Sequence, residues 1–114
     1  MLRGFFLGFI RIHILYHASK APVYGAELLE ELGRHGYKLS PGTLYPILYR
    51  LLSQGYLVRE NRVVLGRVRK YYSITPKGCA ALEEARHKIL ELVQEVVQGS
   101  DCAQLQSKDA EAAS

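Results

Sequence analysis

Two apolar-striped stretches separated by only three residues constrain this chain more than any other feature. From about Val23 to His35, Leu28, Leu29 and Leu32 share one helical face, while Glu27, Glu30, Glu31 and Arg34 share the other. Gly36 follows, suited to the left-handed conformation that ends helices. Only Tyr37, Lys38 and Leu39 intervene before a second start, at which Ser40 suits an N-cap and Pro41 the first helical position. Leu39 and Leu44 occupy the two positions of a hydrophobic staple. The next helix runs to about Gln54, with Leu44, Ile47, Leu48, Leu51 and Leu52 along one face, and Gly55 ends it. Two helices linked this tightly form a helix-turn-helix. Pro46 leaves two options open: an irregular first turn, or a helix that starts at Thr43 with Pro46 in its first turn. Tyr45 lies near the helix N-terminus in both.

The flanking segments complete a mainly α fold with a small β-hairpin. Residues 2–18 read as a first helix, with Phe5, Phe9, Ile12 and Tyr16 on one face and Leu2, Phe6 and Ile10 on another. A helix apolar on most sides is buried on most sides, either by a second subunit or as the central helix of a monomer. Residues 56–64 and 67–75 are rich in Val, Ile, Thr and Tyr and read as two strands joined at Leu65-Gly66. Tyr72, in phase with Ile74, belongs to the core, and Tyr71 to the opposite face. Thr75-Pro76 repeats the cap-plus-proline start, with Ile74 and Cys79 at staple positions, so that Cys79 is expected to be buried. A fourth helix then extends to about Gln98. Its Leu82, Ala85, Ile89, Leu92 and Val96 advance by alternating steps of three and four, a heptad seam too apolar to face water. The domain reading is therefore a winged helix-turn-helix over residues 1–78 that includes the first helix, a dimerisation helix over 79–98 and a flexible tail over 99–114.

Charge is unevenly spread. Residues 1–78 hold 12 Lys and Arg against 4 Asp and Glu, whereas residues 79–114 hold 3 against 7. A basic body points to a polyanionic partner. Two cysteines without CxxC spacing form no disulfide framework, and with no membrane-spanning run the expected location is the cytoplasm. His13 and His17 stand at i, i+4, the spacing of a metal pair, but no third ligand is evident apart from a speculative Cys79, so no metal site and no cofactor are assigned. Catalysis is not expected: the two aspartates both lie in the tail, and there is neither a phosphate-binding glycine loop nor a nucleophile constellation.

The order helix, helix, tight turn, helix, hairpin, helix fits double-stranded DNA. A helix N-terminus offers free amides and a positive dipole end to phosphate, and a helix fits the major groove. The polar face of the third helix carries Thr43, Tyr45, Tyr49, Arg50 and Ser53, hydrogen-bond donors without a carboxylate. Arg50 suits either a phosphate contact or the covering of apolar surface by its stem. Arg67, Arg69 and Lys70 put three cations on the hairpin.

The runs LSPGTLYPILYRLLSQGYL (39–57) and GRVRKYYSITPKG (66–78), preceded by PVYGAEL (22–28) and LRGFFLGFI (2–10), resemble the PadR family of winged-helix transcriptional regulators, in its small subfamily with a single C-terminal helix. The resemblance implies a homodimeric repressor of an inverted-repeat operator. Its DNA-facing residues fall on Ser40, Pro41, Gly42, Thr43, Tyr45, Pro46 and Tyr49, its wing on Gly66, Arg67, Arg69 and Lys70, and its backbone-phosphate region on Tyr24 and Gly25. It further implies a two-fold interface built from the first and last helices, onto which Phe5, Phe9, Ile12, Leu82, Ala85, Ile89, Leu92 and Val96 fall. A small aromatic effector is implied between those helices, beside Phe5, Phe9, Ile89, Val93 and Val96. The chain has no tryptophan to stack on such a molecule. The rival reading is a winged-helix protein-interaction module that does not recognise a DNA sequence.

Overall fold

The computed structural model describes residues 2–99. Its elements are α1 (Leu2–Lys20), β1 (Val23–Tyr24), α2 (Gly25–Arg34), α3 (Pro41–Ser53), β2 (Leu57–Val64), β3 (Arg67–Ile74) and α4 (Pro76–Leu92), with a π-helical turn at Val93–Val97. The chain divides into two compact units, residues 1–83 and 84–114. The expected flexible tail lies, apart from Gly99, outside the described residues.

Within the first unit, one core gathers the predicted stripes. Leu28 and Leu32 of α2, and Leu44, Ile47, Leu48 and Leu51 of α3, are buried together with Ile10, Ile14, Leu15 and Ala18 of α1. Tyr72 and Leu57 close the core from the sheet, and Leu82 joins from the start of α4. The turn between α2 and α3 is held by three bonds: Tyr37 N–H donates to Leu32 O at 2.9 Å, His35 N–H to the same oxygen at 3.1 Å and Gly36 N–H to Gly33 O at 3.0 Å. Gly36 has φ +88°, the left-handed value such a helix end requires.

Four expectations change. The start of the second helix is a short strand instead: Val23 and Tyr24 pair antiparallel with Tyr72 and Tyr71, which makes a three-stranded sheet of order β1-β3-β2. Two residues are too few to show a period of two, so this strand is invisible to patterning. The helix begins at Gly25, where the Tyr24 amide donates to the Glu27 carboxylate at 3.3 Å. Next, of the two covers open for α1, the central helix of a monomer is not what forms: Phe5, Phe6 and Phe9 are each about half exposed, and Ile12 is half-buried against the chain's own core. Third, Cys79 is exposed. The inward face of α4 is set by Gly78 and Leu82, and the residue after Gly78 lies about 100° further round the helix. Finally, the last helix does not stay α-helical to Gln98, because Gln98 N–H bonds to Val93 O at 3.0 Å in the wider π turn.

Candidate nucleic-acid interface

Helix α3 is capped at both ends. Ser40 Oγ accepts from Thr43 N–H at 3.3 Å, and Ser40 O takes the amides of Thr43 and Leu44, both at 3.0 Å. Pro41 has no amide, which leaves the amide of exposed Gly42 to an outside acceptor. The helix thus starts at Pro41 and accommodates Pro46 inside it. At the other end Lys77 Nζ donates to Gln54 O at 2.6 Å, a cation at the negative end of the dipole.

On the outer face of α3, Thr43, Tyr45, Tyr49 and Arg50 are all exposed. Tyr49 is the freest of these aromatics, 69% exposed, while Tyr45 is anchored, its ring lying against buried Gly25 where a Cβ would collide with the phenol. Ser53 spends its hydroxyl within the helix, donating to Arg50 O at 3.0 Å.

The wing is a two-residue hairpin turned by Leu65 (φ 52°) and Gly66 (φ 75°), with Val64 opposite Arg67. Strand alternation separates its cations, with Arg67 and Arg69 on one face and Lys70 on the other. Arg69 is held with its guanidinium 4.6 Å from the Tyr24 ring centroid, and Tyr24 packs edge-on to Tyr71 at 5.4 Å. Lys70 faces α3. One hollow is lined by Tyr24, Gly25, Tyr45, Val68, Arg69 and Lys70, another by Tyr45, Tyr49, Leu52, Arg59, Lys70 and Tyr72. Tyr45 and Lys70 border both, so the helix face and the wing make one surface, and no acidic residue lines either hollow.

Residues 14–84 match the transcriptional regulator PadR-like family. The chain belongs to that family. A 53% identical relative over 98 residues is the transcriptional regulator Rv3488 of Mycobacterium tuberculosis, with 86% of this chain and 92% of the relative covered. Among solved structures, a PadR-like transcriptional regulator from Bacillus cereus is 36% identical with a TM-score of 0.73, covering 86% of this chain and 93% of its own. A PadR family regulator from Eggerthella lenta is 33% identical with a TM-score of 0.71, covering 80% of each chain. This PadR-like protein is therefore a winged-helix transcriptional regulator, and its family is not one of enzymes. No helix among its described residues is long and apolar enough to cross a membrane.

In this PadR-like chain the expected DNA-facing residues Tyr24, Tyr45, Arg69 and Lys70 come together around one hollow, and Tyr49 joins them across the second. Arg50 stands apart from both, beside Arg11 and Gln54. Gly25 is buried, with the Tyr45 ring against it. Arg59 was missed by sequence reasoning. The strand register was the available signal, since Arg59 pairs with Tyr72 and so lies on the Lys70 face of the wing. Arg62, by contrast, is paired with Glu60 and stacks on Tyr71. In the second unit Ile89, Leu92 and Val96 are exposed and Val93 is half-buried.

One further cluster lies in the first unit. His35, the C-cap of α2, stacks on His13 with centroids 4.4 Å apart and lies 6.1 Å from His17. One ligand atom of each of the three imidazoles falls within 4.8 Å of the others. The residue that the structure brings beside the His13–His17 pair is thus His35 from the end of α2. Burial and then the neighbouring His35 and His17 hold the His13 pKa below its ordinary value.

Proposed function

We propose that the protein is a sequence-specific repressor that binds an inverted-repeat operator as a homodimer, α3 reading bases and the wing gripping phosphates. The carrying observation is the carboxylate-free surface on which Tyr45 and Lys70 join recognition helix and wing. Tyr49, uncharged and exposed, is placed to meet base edges or thymine methyl groups. Lys70, Arg69 and Arg59 supply the cations whose phosphate contacts release counterions. Release by a small aromatic effector belongs to the same reading, with half-exposed Phe5 and Phe9 as stacking surfaces on α1.

Affinities for operator and random duplexes at several salt concentrations test the division of labour. Lys70→Ala is expected to weaken both duplexes alike and to reduce the salt slope of log K by about one unit. Tyr49→Ala is expected to leave the slope unchanged and to cost about 1–3 kcal/mol on the operator and much less on random DNA. Equal loss on both duplexes for Tyr49→Ala, with operator-only loss for Lys70→Ala, reverses the assignment. A footprint confined to one asymmetric half-site at saturation overturns the two-fold docking, which calls for half-site centres about 10 bp apart or a multiple of that.

A further inference from the structure

The DNA-facing surface leaves the imidazole cluster unused. His13 and His17 project from one face of α1 at i, i+4, and His35 reaches them from the end of α2, just before the turn into α3. We propose that His13, His17 and His35 form a binding site for a divalent cation of the zinc type, coordinated by three imidazole nitrogens with an outward-facing fourth position for water.

Three observations carry this assignment. The candidate ligand atoms lie within 4.8 Å of one another. Zinc–nitrogen bonds of about 2.0–2.1 Å in a tetrahedral site put ligand atoms roughly 3.4 Å apart, so an ion closes the set by turning the imidazoles out of the near-parallel stacking of His13 with His17 and His35 until their nitrogens converge. Second, His17 Nε2 is buried and has no hydrogen-bond partner. Buried polar atoms are nearly always satisfied, and a metal ion would satisfy this one. Third, the donor set is all imidazole, which suits zinc, copper or nickel and not the oxygen-seeking magnesium or calcium. The carboxylate of Glu31, four residues before His35, is paired with Arg34. His35 is exposed, which gives an ion an entry path and leaves one coordination position toward solvent.

An ion held here fastens α1 to the C-cap of α2. It binds the folded chain in preference to the unfolded one and so raises thermal stability. The test uses untagged, chelator-treated full-length protein without DNA, so its outcome is independent of the DNA-binding reading. Titration with Co2+, followed by its visible ligand-field bands and by Zn2+ competition, is expected to give one ion per chain. His35→Phe keeps a stacking ring and removes a ligand nitrogen at an exposed position. It is expected to weaken binding at least about 100-fold, the upper range of losing an outer-shell partner, and to abolish the Zn2+-induced rise in melting temperature. Sub-stoichiometric Co2+ binding by the wild type overturns the site. So does unchanged affinity in His35→Phe, which reduces the cluster to aromatic packing. Should that variant melt abnormally without metal, His13→Gln supplies the same comparison.

Discussion

A methyl group at position 78 has nowhere to go. An added Cβ there collides with the Tyr56 carbonyl and lies 2.7 Å from Ile74 Cγ1, and a backbone carbonyl cannot swing aside as a side-chain tip does. Gly78→Ala is therefore an overpacking change, expected to cost about 1–3 kcal/mol. At roughly 4–8 °C per kcal/mol for a domain of this size, a scanning melt should show the loss. A melting temperature within a degree of wild type contradicts the crowding. Tyr72 was legible at this scale because strand phase places it beside Ile74, and it is 2% exposed. Cys79 was misread because the staple pattern fits it, whereas the close approach of α4 to Tyr56 makes its neighbour the inward residue. Gly25 was legible as special but not for its reason, since only the fold reveals the Tyr45 ring against it.

The elements with strong punctuation were read nearly whole. Gly36, Ser40-Pro41, Gly55 and Thr75-Pro76 are local chemical instructions, and α3, β2, β3 and the start of α4 lie within a residue or two of the positions they dictate. What escaped depends on pairing at a distance: β1 exists because β3 has an edge to offer Val23 and Tyr24, and the separation of Arg69 from Lys70 follows from register. The hairpin turn holds one locally unfavourable choice. Leu65 takes a positive φ of 52° while its side chain is 94% exposed, so no packing offsets the left-handed backbone. Asn is better suited to the first position of such a turn ahead of Gly. Leu65→Asn is expected to stabilise the protein by about 0.5–1 kcal/mol. Denaturant unfolding checks it: the midpoint should rise with an unchanged m-value, and a lower midpoint shows that the leucine packs after all.

For the whole molecule, apolar surface is left over. Phe5, Phe6 and Phe9 on α1 are about half exposed, and Leu92, Val96 and Val97 more so. Exposed apolar side chains on each of the two units suit burial against another chain, the cover that the proposed homodimer supplies. Light scattering at micromolar concentration should give twice the 12.8 kDa of one chain, and Phe9→Glu or Val96→Glu should shift the mass toward the monomer. A folded monomer in the wild type contradicts the homodimer. The need for a cover was only half legible: the heptad seam and the aromatic helix announce a need for burial, but no sequence pattern says whether the same chain or a partner meets it.

The hydroxyl of Thr75 donates to Gly55 O at 2.6 Å and accepts from Gly78 N–H at 3.0 Å, while Lys77 seizes Gln54 O two residues away. The two carbonyls that follow α3 and the first turn of α4 are thus joined by one side chain and braced by a second. Moving the opening turn of α4 away from the C-terminal end of α3 therefore means breaking the bonds of Thr75 to Gly55 O and of Lys77 to Gln54 O.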